Sequence, residues 1–167
     1  MNFRNEAKQQ KSEEAVNLSN KMSLKIKNSK KEGKGVFAGR NFKKGETVFE
    51  FKGKTVGWKK ATHRSIQIGK SVFINPSKSN PGYFLNHSCN PNCGLRNLAD
   101  ITAMRGIKKG EEITIDYSTN ISVKWYMECL CSSKKCRKVI TSYTLLPHAV
   151  KKKYKGWISE YMLADKK

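Results

Sequence analysis

Short stretches of alternating apolar and polar residues recur along the chain from Ser23 onward. They cover residues 24–26, 48–51, 66–68 and 113–117, and they are separated by turns that contain glycine or by stretches rich in Pro, Asn and Ser. Alternation over so few residues predicts short β-strands that are buried on one side. We therefore expect a mainly β fold of small sheets with short helices.

One nine-residue unit occurs twice in the sequence. Residues 38–46 read AGRNFKKGE and residues 103–111 read AMRGIKKGE, and each copy leads into a strand-like run. The Lys-Lys-Gly sequence within both copies is typical of a turn. Because one repetition is too little for a solenoid, we interpret the copies as the same strand–turn–strand unit used twice.

A different period appears near the C-terminal end. Five apolar residues fall at helical spacings: Val150, Tyr154, Trp157, Ile158 and Tyr161. This spacing puts them on one face of a helix, which Gly156 would weaken. The aromatic character of the face favours a helix that packs on the domain over one that binds a membrane or a partner helix.

The net charge is +21, from 34 Lys and Arg against 13 Asp and Glu, and 37% of the 167 residues are hydrophobic. That apolar content suffices for the core of one domain and excludes a disordered basic tail. Residues 1–22 carry a net charge of only +1, so the remaining residues hold +20. This excess predicts non-specific contact with nucleic acid through its phosphates, although a solvated lysine-rich surface has the same composition.

The sequence contains no run of roughly 20 apolar residues, which a membrane-spanning helix needs. Its first residues also lack the apolar segment of a secretory signal. We expect an intracellular protein without membrane contact, either cytoplasmic or associated with the nucleoid or chromatin. In a reducing compartment clustered cysteines bind metal more often than they form disulfides.

Three of the five cysteines form a C-x-C-x4-C cluster: Cys129, Cys131 and Cys136. Three thiolates are one ligand short of a tetrahedral structural zinc site. The candidates for the fourth ligand are Cys89 and Cys93, with His87 and His148 as weaker alternatives. The cluster therefore predicts a zinc site, and spacing alone leaves its fourth ligand open.

Residues 33–38, GKGVFA, match the letters of the dinucleotide-binding pattern G-x-G-x-x-A. That pattern requires a helix that begins within it, whereas here further glycines and strand-like residues follow. A Rossmann fold is therefore excluded. The glycines indicate instead a place where the backbone approaches a ligand or a neighbouring segment closely.

Five motifs, taken in order, resemble those of the SET-domain protein-lysine methyltransferases, in a compact single-domain form with a zinc-binding post-SET segment. They are GKGVFA (33–38), ETVFEFKG (46–53), NHSCNPN (86–92), GEEITIDY (110–117) and the cysteine cluster. The similarity extends from about residue 23 to residue 137. It implies a β-clip-like fold of small sheets with a pseudoknot, in which the segment carrying Tyr117 threads past the loop carrying Asn86 and His87.

The resemblance also implies how the chain is divided. The expected parts are a polar N-terminal extension (1–22), a SET domain (23–119), a post-SET zinc segment (120–140) and a C-terminal helical extension (141–167). It implies that Cys89 completes one structural zinc site with Cys129, Cys131 and Cys136. Cys93 would then be the odd thiol.

The cofactor implied by the resemblance is S-adenosylmethionine, and the implied activity is transfer of its methyl group to a lysine side chain of a protein, with chromatin as one setting. The implied cofactor contacts are Gly33, Lys34, Gly35, Asn86, His87 and Tyr117, and Tyr117 is also the implied catalytic residue. The alternative is a SET-like zinc module, weakly active or inactive, that binds nucleic acid or chromatin.

Two positions in the implied lysine channel depart from the family pattern. Phe51 stands in place of the tyrosine of E-Y-x-G, and Ile115 stands in place of the phenylalanine of F-D-Y. Because both changes loosen the channel, we expect more than one methyl group per lysine; Trp125 is a further candidate for the channel wall. A basic substrate peptide would need an acidic docking groove, for which the candidates are Glu46, Glu50, Glu111, Glu112, Asp116 and Glu128.

Overall fold

The computed structural model describes residues 23–164, which form a mainly β fold. Its strands are β1 (Leu24–Asn28), β2 (Lys34–Ala38), β3 (Thr47–Glu50), β4 (Gly53–Gly57), β5 (Ile66–Gly69), β6 (Val72–Pro76), β7 (Asn86–His87), β8 (Cys93–Arg96), β9 (Asp100–Ala103), β10 (Glu112–Ile115), β11 (Tyr126–Glu128) and β12 (Val139–Thr141). The α-helices are α1 (His148–Lys153) and α2 (Glu160–Ala164). The predicted fold class, small sheets with short helices, is confirmed.

The strands pair in four small sheets. Their orders are β1-β2-β10-β7, β3-β9-β8, β4-β6-β5 and β11-β12. The pairing is antiparallel except between β10 and β7, where Thr114 lies opposite Asn86 and Ile115 lies opposite His87 in parallel register. Because parallel strands end at the same edge, the residues after β10 lie beside those after β7.

The two copies of the nine-residue unit pair with each other. Phe42 and Ile107 form an antiparallel bridge in which each N–H donates to the other's carbonyl, at 2.8 and 2.9 Å. The turn glycine of each copy donates to the alanine carbonyl that opens the other copy, at 2.8 Å in both cases. Gly45 and Gly110 have φ of +85° and +88°, a conformation that favours glycine. The repeated unit is therefore used twice around a local pseudo-twofold axis.

The main hydrophobic core lies between these sheets. Its members include Val36, Phe42, Val48, Phe51, Leu95, Ile101, Ile107, Ile113 and Ile115, all at most 3% exposed. Cys93 belongs to the same core and is fully buried. Burial in these apolar surroundings raises the pKa of the Cys93 thiol to about 12. This cysteine is therefore an inert, neutral core residue at physiological pH.

The structure divides the predicted C-terminal helix into two short ones. Helix α1 ends at Lys153, and Gly156 lies between α1 and α2 with φ of +79°, a conformation that favours glycine. The buried side chains that follow helix α1, Tyr154 and Ile158, still pack into one cluster with Tyr143. None of the helices in the described part of the chain is long and apolar enough to cross a membrane.

A buried carboxylate ties this C-terminal segment to the rest of the domain. Asp116, only 1% exposed, accepts hydrogen bonds from the Arg137 guanidinium at 2.6 and 2.8 Å and from the Tyr154 hydroxyl at 2.8 Å. Burial alone would raise the pKa of Asp116, but hydrogen bonds from Arg137 and the nearby positive charge outweigh it and hold the pKa below its usual value. The carboxylate is therefore charged and satisfied in the interior.

We predict that Tyr154→Phe destabilises the domain because it removes one donor from a buried charge. The free energy of unfolding should fall by about 1.5–3 kcal/mol, as is usual for a hydrogen bond to a charged group. Urea denaturation measures the change, and Tyr126→Phe is a matched control because Tyr126 is 80% exposed. Equal midpoints for the two variants would contradict the role of Tyr154.

Candidate active site and metal centre

The backbone after β10 places Tyr117 beside the end of β7. Its N–H donates to His87 Nδ1 at 3.1 Å, and its hydroxyl donates to the Leu85 carbonyl at 2.6 Å. Burial raises the pKa of Tyr117 well above its usual value. The phenol is thus fixed at both ends and keeps its proton, so it can orient a reacting group but cannot serve as a phenolate base.

Asn86 joins the glycine-containing segment to β10. Its Nδ2 lies 2.8 Å from Glu112 Oε1, 3.2 Å from the Glu32 carbonyl and 3.3 Å from the Lys34 carbonyl. A Cβ atom added to Gly35 would lie 3.1 Å from Asn86 Nδ2 and closer still to Glu112 Oε1. Glycine at position 35 therefore lets the two segments touch, and the Asn86 amide is used to position the chain.

Glu112, which the sequence suggested for an acidic docking groove, instead holds this site together. Its carboxylate accepts hydrogen bonds from Ser29 at 2.8 Å and Lys31 at 2.7 Å, in addition to the bond from Asn86. The sequence offered one signal for this role: an acidic residue next to the predicted strand 113–117, and a lysine-rich stretch at residues 30–34 that could pair with it. Glu112 holds the turn before Gly33 against β10.

A cavity of about 260 Å³ adjoins this segment. Asn86, His87 and Tyr117 line one side of it. The remaining lining residues are Lys31, Glu32, Met127, Glu128, Leu130, Cys131 and Ile140. The cavity thus combines two carboxylates with an apolar wall, and it brings Asn86 and His87 of the NHSCNPN motif together with Tyr117 and Cys131.

A second cavity, of about 160 Å³, also reaches Tyr117. Its other lining residues are Trp58, Ala61, Thr62, His63, Ser65, Phe73, Asn120, Ile121 and Trp125. The walls are largely aromatic, and no carboxylate of the described residues lines it. Tyr117 is the residue that the two cavities share, an arrangement suited to transfer between two molecules held in separate chambers.

The three predicted channel residues lie at different depths. Trp125 lines the second cavity. Phe51 and Ile115 are 2% and 1% exposed and border a small space of about 10 Å³ that also touches Tyr117. Phe51 and Ile115 are therefore apolar neighbours of Tyr117, and the size of their side chains limits the volume of this small space.

The candidate metal centre brings together residues that are about 40 positions apart. The ligand atoms of His87, Cys89, Cys129 and Cys131 lie within 4.8 Å of one another, and all four residues are buried. Cys136 packs against the same cluster. Cys93 lies in the main core instead, and His148 begins helix α1.

Two sets of four ligands are possible, because Cys136 can take the place of His87 beside Cys89, Cys129 and Cys131. Cys89 Sγ accepts from the Arg137 N–H at 3.3 Å, Cys131 Sγ from the Cys89 N–H at 3.4 Å, and Cys136 Sγ from the Lys138 N–H at 3.4 Å. Such donors stabilise metal-bound thiolates. The bond to Cys136 is compatible with the predicted four-cysteine set, which stays a prediction.

His87 has a different hydrogen-bonding role. Burial lowers the pKa of His87 to about 4, so the ring is neutral. Because Nδ1 accepts the Tyr117 N–H, the ring proton belongs on Nε2, which lies 3.3 Å from Cys89 Sγ. The imidazole can therefore donate to the Cys89 thiolate, which links the metal centre to Tyr117 through a single ring.

The family model of the SET domain matches residues 33–118 of this chain. The chain belongs to the SET-domain family. A variant-silencing SET domain-containing protein of Plasmodium falciparum (isolate 3D7) is 35% identical over 139 residues, which are 68% of this chain and 5% of the relative. A probable histone-lysine N-methyltransferase, set-23, of Caenorhabditis elegans is 36% identical over 135 residues, 65% of this chain and 55% of the relative.

A third relative of this SET domain is a histone-lysine N-methyltransferase, H3 lysine-36 specific, of Coccidioides immitis (strain RS). It is 29% identical over 144 residues, 74% of this chain and 14% of the relative. This SET domain therefore spans between about one twentieth and just over half of the length of these relatives. SET methyltransferases use S-adenosylmethionine. Both cavities are lined by Tyr117, which lies within the matched residues 33–118.

We predict that one zinc ion binds to the four-cysteine set, so Cys136→Ser and Cys89→Ser should each lose it. Cys93→Ser is the matched control and should keep the metal, because Cys93 lies in the apolar core. Elemental analysis of the purified variants gives the metal content per chain. If Cys136→Ser retained zinc while His87→Gln lost it, the ligand set would instead be His87, Cys89, Cys129 and Cys131.

Proposed function

We propose that this SET domain is a protein-lysine N-methyltransferase that uses S-adenosylmethionine. The observation that carries the proposal is the pair of cavities that share Tyr117. The alternative, an inactive zinc module, has no need for two chambers that meet at one fixed phenol. The proposed SET domain comprises residues 23–119, followed by a zinc segment (120–140) and a C-terminal extension (141–167).

The larger cavity suits the cofactor. Its lining includes Asn86 and His87, and the segment with Gly33, Lys34 and Gly35 is held beside it by Asn86. The carboxylates of Glu32 and Glu128 can accept hydrogen bonds from hydroxyl and ammonium groups, and Met127, Leu130 and Ile140 offer an apolar surface for a flat ring. When bound, S-adenosylmethionine supplies a methyl group on a positively charged sulfur.

The smaller cavity suits the side chain of a lysine. Its aromatic walls, Trp58, Phe73 and Trp125, exclude water from the aliphatic stem and disfavour the charged ammonium form. A neutral amine has the lone pair that attack on a methyl group requires. Enclosure in a narrow channel also holds the nitrogen in line, which supplies much of the acceleration in such a transfer.

Tyr117 orients the amine. Its hydroxyl proton is directed to the Leu85 carbonyl, at 2.6 Å, so the lone pairs of the phenol oxygen are free to accept an N–H from the amine. The amine lone pair is then left for the methyl group. Tyr117 is thus a catalytic residue in this proposal, and Leu85 is a positioning residue that acts through it.

The metal centre supports both cavities. Tyr117, Trp125 and Met127 pack against the cysteine cluster, and these residues line one cavity or the other. A structural metal that fixes the cluster therefore fixes the walls around the transfer site. Loss of zinc should reduce activity as well as stability.

The proposed substrate is a chromatin protein. The relatives from Caenorhabditis elegans and Coccidioides immitis bear the names of histone-lysine methyltransferases. By analogy with them, we propose that this SET domain acts in the cell on a lysine of a chromatin-associated protein.

Tyr117→Phe should abolish most methyl transfer, because only the oxygen that orients the amine is removed. We expect kcat to fall by roughly a hundredfold or more, with the affinity for S-adenosylmethionine nearly unchanged. Transfer of labelled methyl groups to protein in a cell extract measures kcat, and calorimetry measures the affinity. Tyr126→Phe is the control; wild-type turnover in Tyr117→Phe would make Tyr117 a core residue only.

We also propose that the domain contacts nucleic acid through the paired nine-residue units. Arg40 and Arg105 pair with a glutamate of their own copy, at 2.6 and 2.8 Å. The four exposed lysines of the two turns have no such partner among the described ion pairs: Lys43, Lys44, Lys108 and Lys109. Two adjacent lysine turns offer several contacts to the phosphates of one nucleic acid.

Exchange of the four turn lysines for glutamine should therefore weaken binding to duplex DNA, while deletion of residues 1–22 should leave it nearly intact. Gel-shift titrations at low salt compare the two variants, and the affinity of the unmodified protein should fall by orders of magnitude as salt rises to moderate concentration. Absence of a retarded complex at low salt would refute this contact.

A further inference from the structure

The two chain segments that form the smaller cavity are unusually basic for a site proposed to receive a basic side chain. Two segments form it, residues 58–73 and residues 117–125. Together they contain five cations and no Asp or Glu: Lys59, Lys60, Arg64, Lys70 and Lys124. All five are exposed, and four of them directly adjoin lining residues in the sequence: Lys59, Lys60, Arg64 and Lys124.

One of these cations is held in a fixed position. The Arg64 guanidinium lies over the Tyr83 ring, 4.7 Å from its centroid, and Nε donates to the Tyr83 carbonyl at 3.1 Å. Its Nη1 lies 2.6 Å from Nε2 of His63, which lines the cavity. Burial and the charge of Arg64 lower the pKa of His63, which keeps the imidazole neutral. A rigid guanidinium is therefore presented next to the cavity.

Most carboxylates of the described structure are paired away from this entrance, and Glu32 is the one whose charge still reaches His63. Glu46 and Glu111 pair with arginines of the repeated unit, Glu112 pairs with Lys31, and Asp116 is buried against Arg137. Glu32 and Glu128 line the larger cavity. The chain continues the pattern around the cavity, because residues 52–99 contain eight Lys and Arg and no Asp or Glu.

We propose that this domain selects target lysines whose sequence neighbours are acidic. The inference rests on the proposed methyltransferase function and specifies its substrate class. A lysine that enters the aromatic cavity must place the residues on both sides of it near the exposed cations. Acidic neighbours are attracted there and basic neighbours are repelled, an effect that acts on substrate binding. A lysine within a basic tail is disfavoured, and one within an acidic segment is favoured.

Three synthetic peptides with one central lysine test this selection. Two residues on each side of the lysine are Glu in the first, Gln in the second and Arg in the third. With the full chain, labelled S-adenosylmethionine and low salt, kcat/KM should decrease in that order, with roughly a tenfold or larger span between the Glu and Arg peptides. The difference should appear in KM, and it should shrink as salt rises.

Charge reversal at the entrance provides the matched variant. Lys59→Glu combined with Lys60→Glu should invert the preference between the Glu and Arg peptides, because both positions adjoin the cavity-lining Trp58 and Ala61. Lys152→Glu combined with Lys155→Glu makes the same charge change at exposed positions that do not line the cavity, and it should leave the preference unchanged. Circular dichroism checks that both variants are folded.

The outcomes separate this inference from the function on which it rests. Equal kcat/KM for the three peptides would overturn the selection while leaving methyl transfer established. No transfer to any peptide or to protein in a cell extract would overturn the methyltransferase proposal, and the selection with it. If the Lys59 and Lys60 variant lost affinity for duplex DNA but kept the original peptide preference, the cations would serve nucleic acid and the selection would be wrong.

Discussion

The buried charge of Asp116 is the interaction on which the arrangement of the site depends. Asp116 directly precedes Tyr117, and its main partner, Arg137, directly follows Cys136. One ion pair therefore joins the neighbour of the proposed catalytic tyrosine to the neighbour of a proposed metal ligand. His87 Nδ1, 3.6 Å from the same carboxylate, adds the end of β7 to the junction.

Such a junction is stable only when it is complete. A buried carboxylate that loses one partner is strongly destabilised, whereas one with charged and hydroxyl donors is accommodated. In this domain the donors come from three parts of the chain: the strand end itself, the zinc segment and the residue that follows helix α1. The segment 120–140, with its two-stranded sheet and cysteines, has little apolar core of its own, so the Asp116–Arg137 pair, together with the proposed metal, would hold it in place.

Local patterns in the sequence predicted those features of the structure that depend on neighbouring residues. Alternation predicted the strands that contain Ile26, Ile66 and Ile113, and cysteine spacing indicated a cluster that could hold a metal, although spacing could not choose its fourth member. The Asp116 junction depends on partners 21 and 38 positions away, and no local pattern reveals which donors will meet a buried acid. The same reason hid the structural role of Glu112, whose partners come from β7 and from the turn before β2. The sequence indicated that Gly156 would weaken a C-terminal helix, but it did not show that the first helix ends before this glycine.

The distribution of carboxylates explains how an enzyme fold acquires a cationic surface. The acids that sequence reasoning assigned to a docking groove for basic peptides are largely used within the structure: Glu46, Glu111, Glu112 and Asp116 each hold a turn, a strand or a segment in place. Each of these four carboxylates forms an ion pair with an arginine or a lysine of the domain. Among the described residues the remaining cations greatly outnumber the remaining acids, and they lie at the turns and next to residues that line the aromatic cavity. Any partner of this surface must bring its own negative charge.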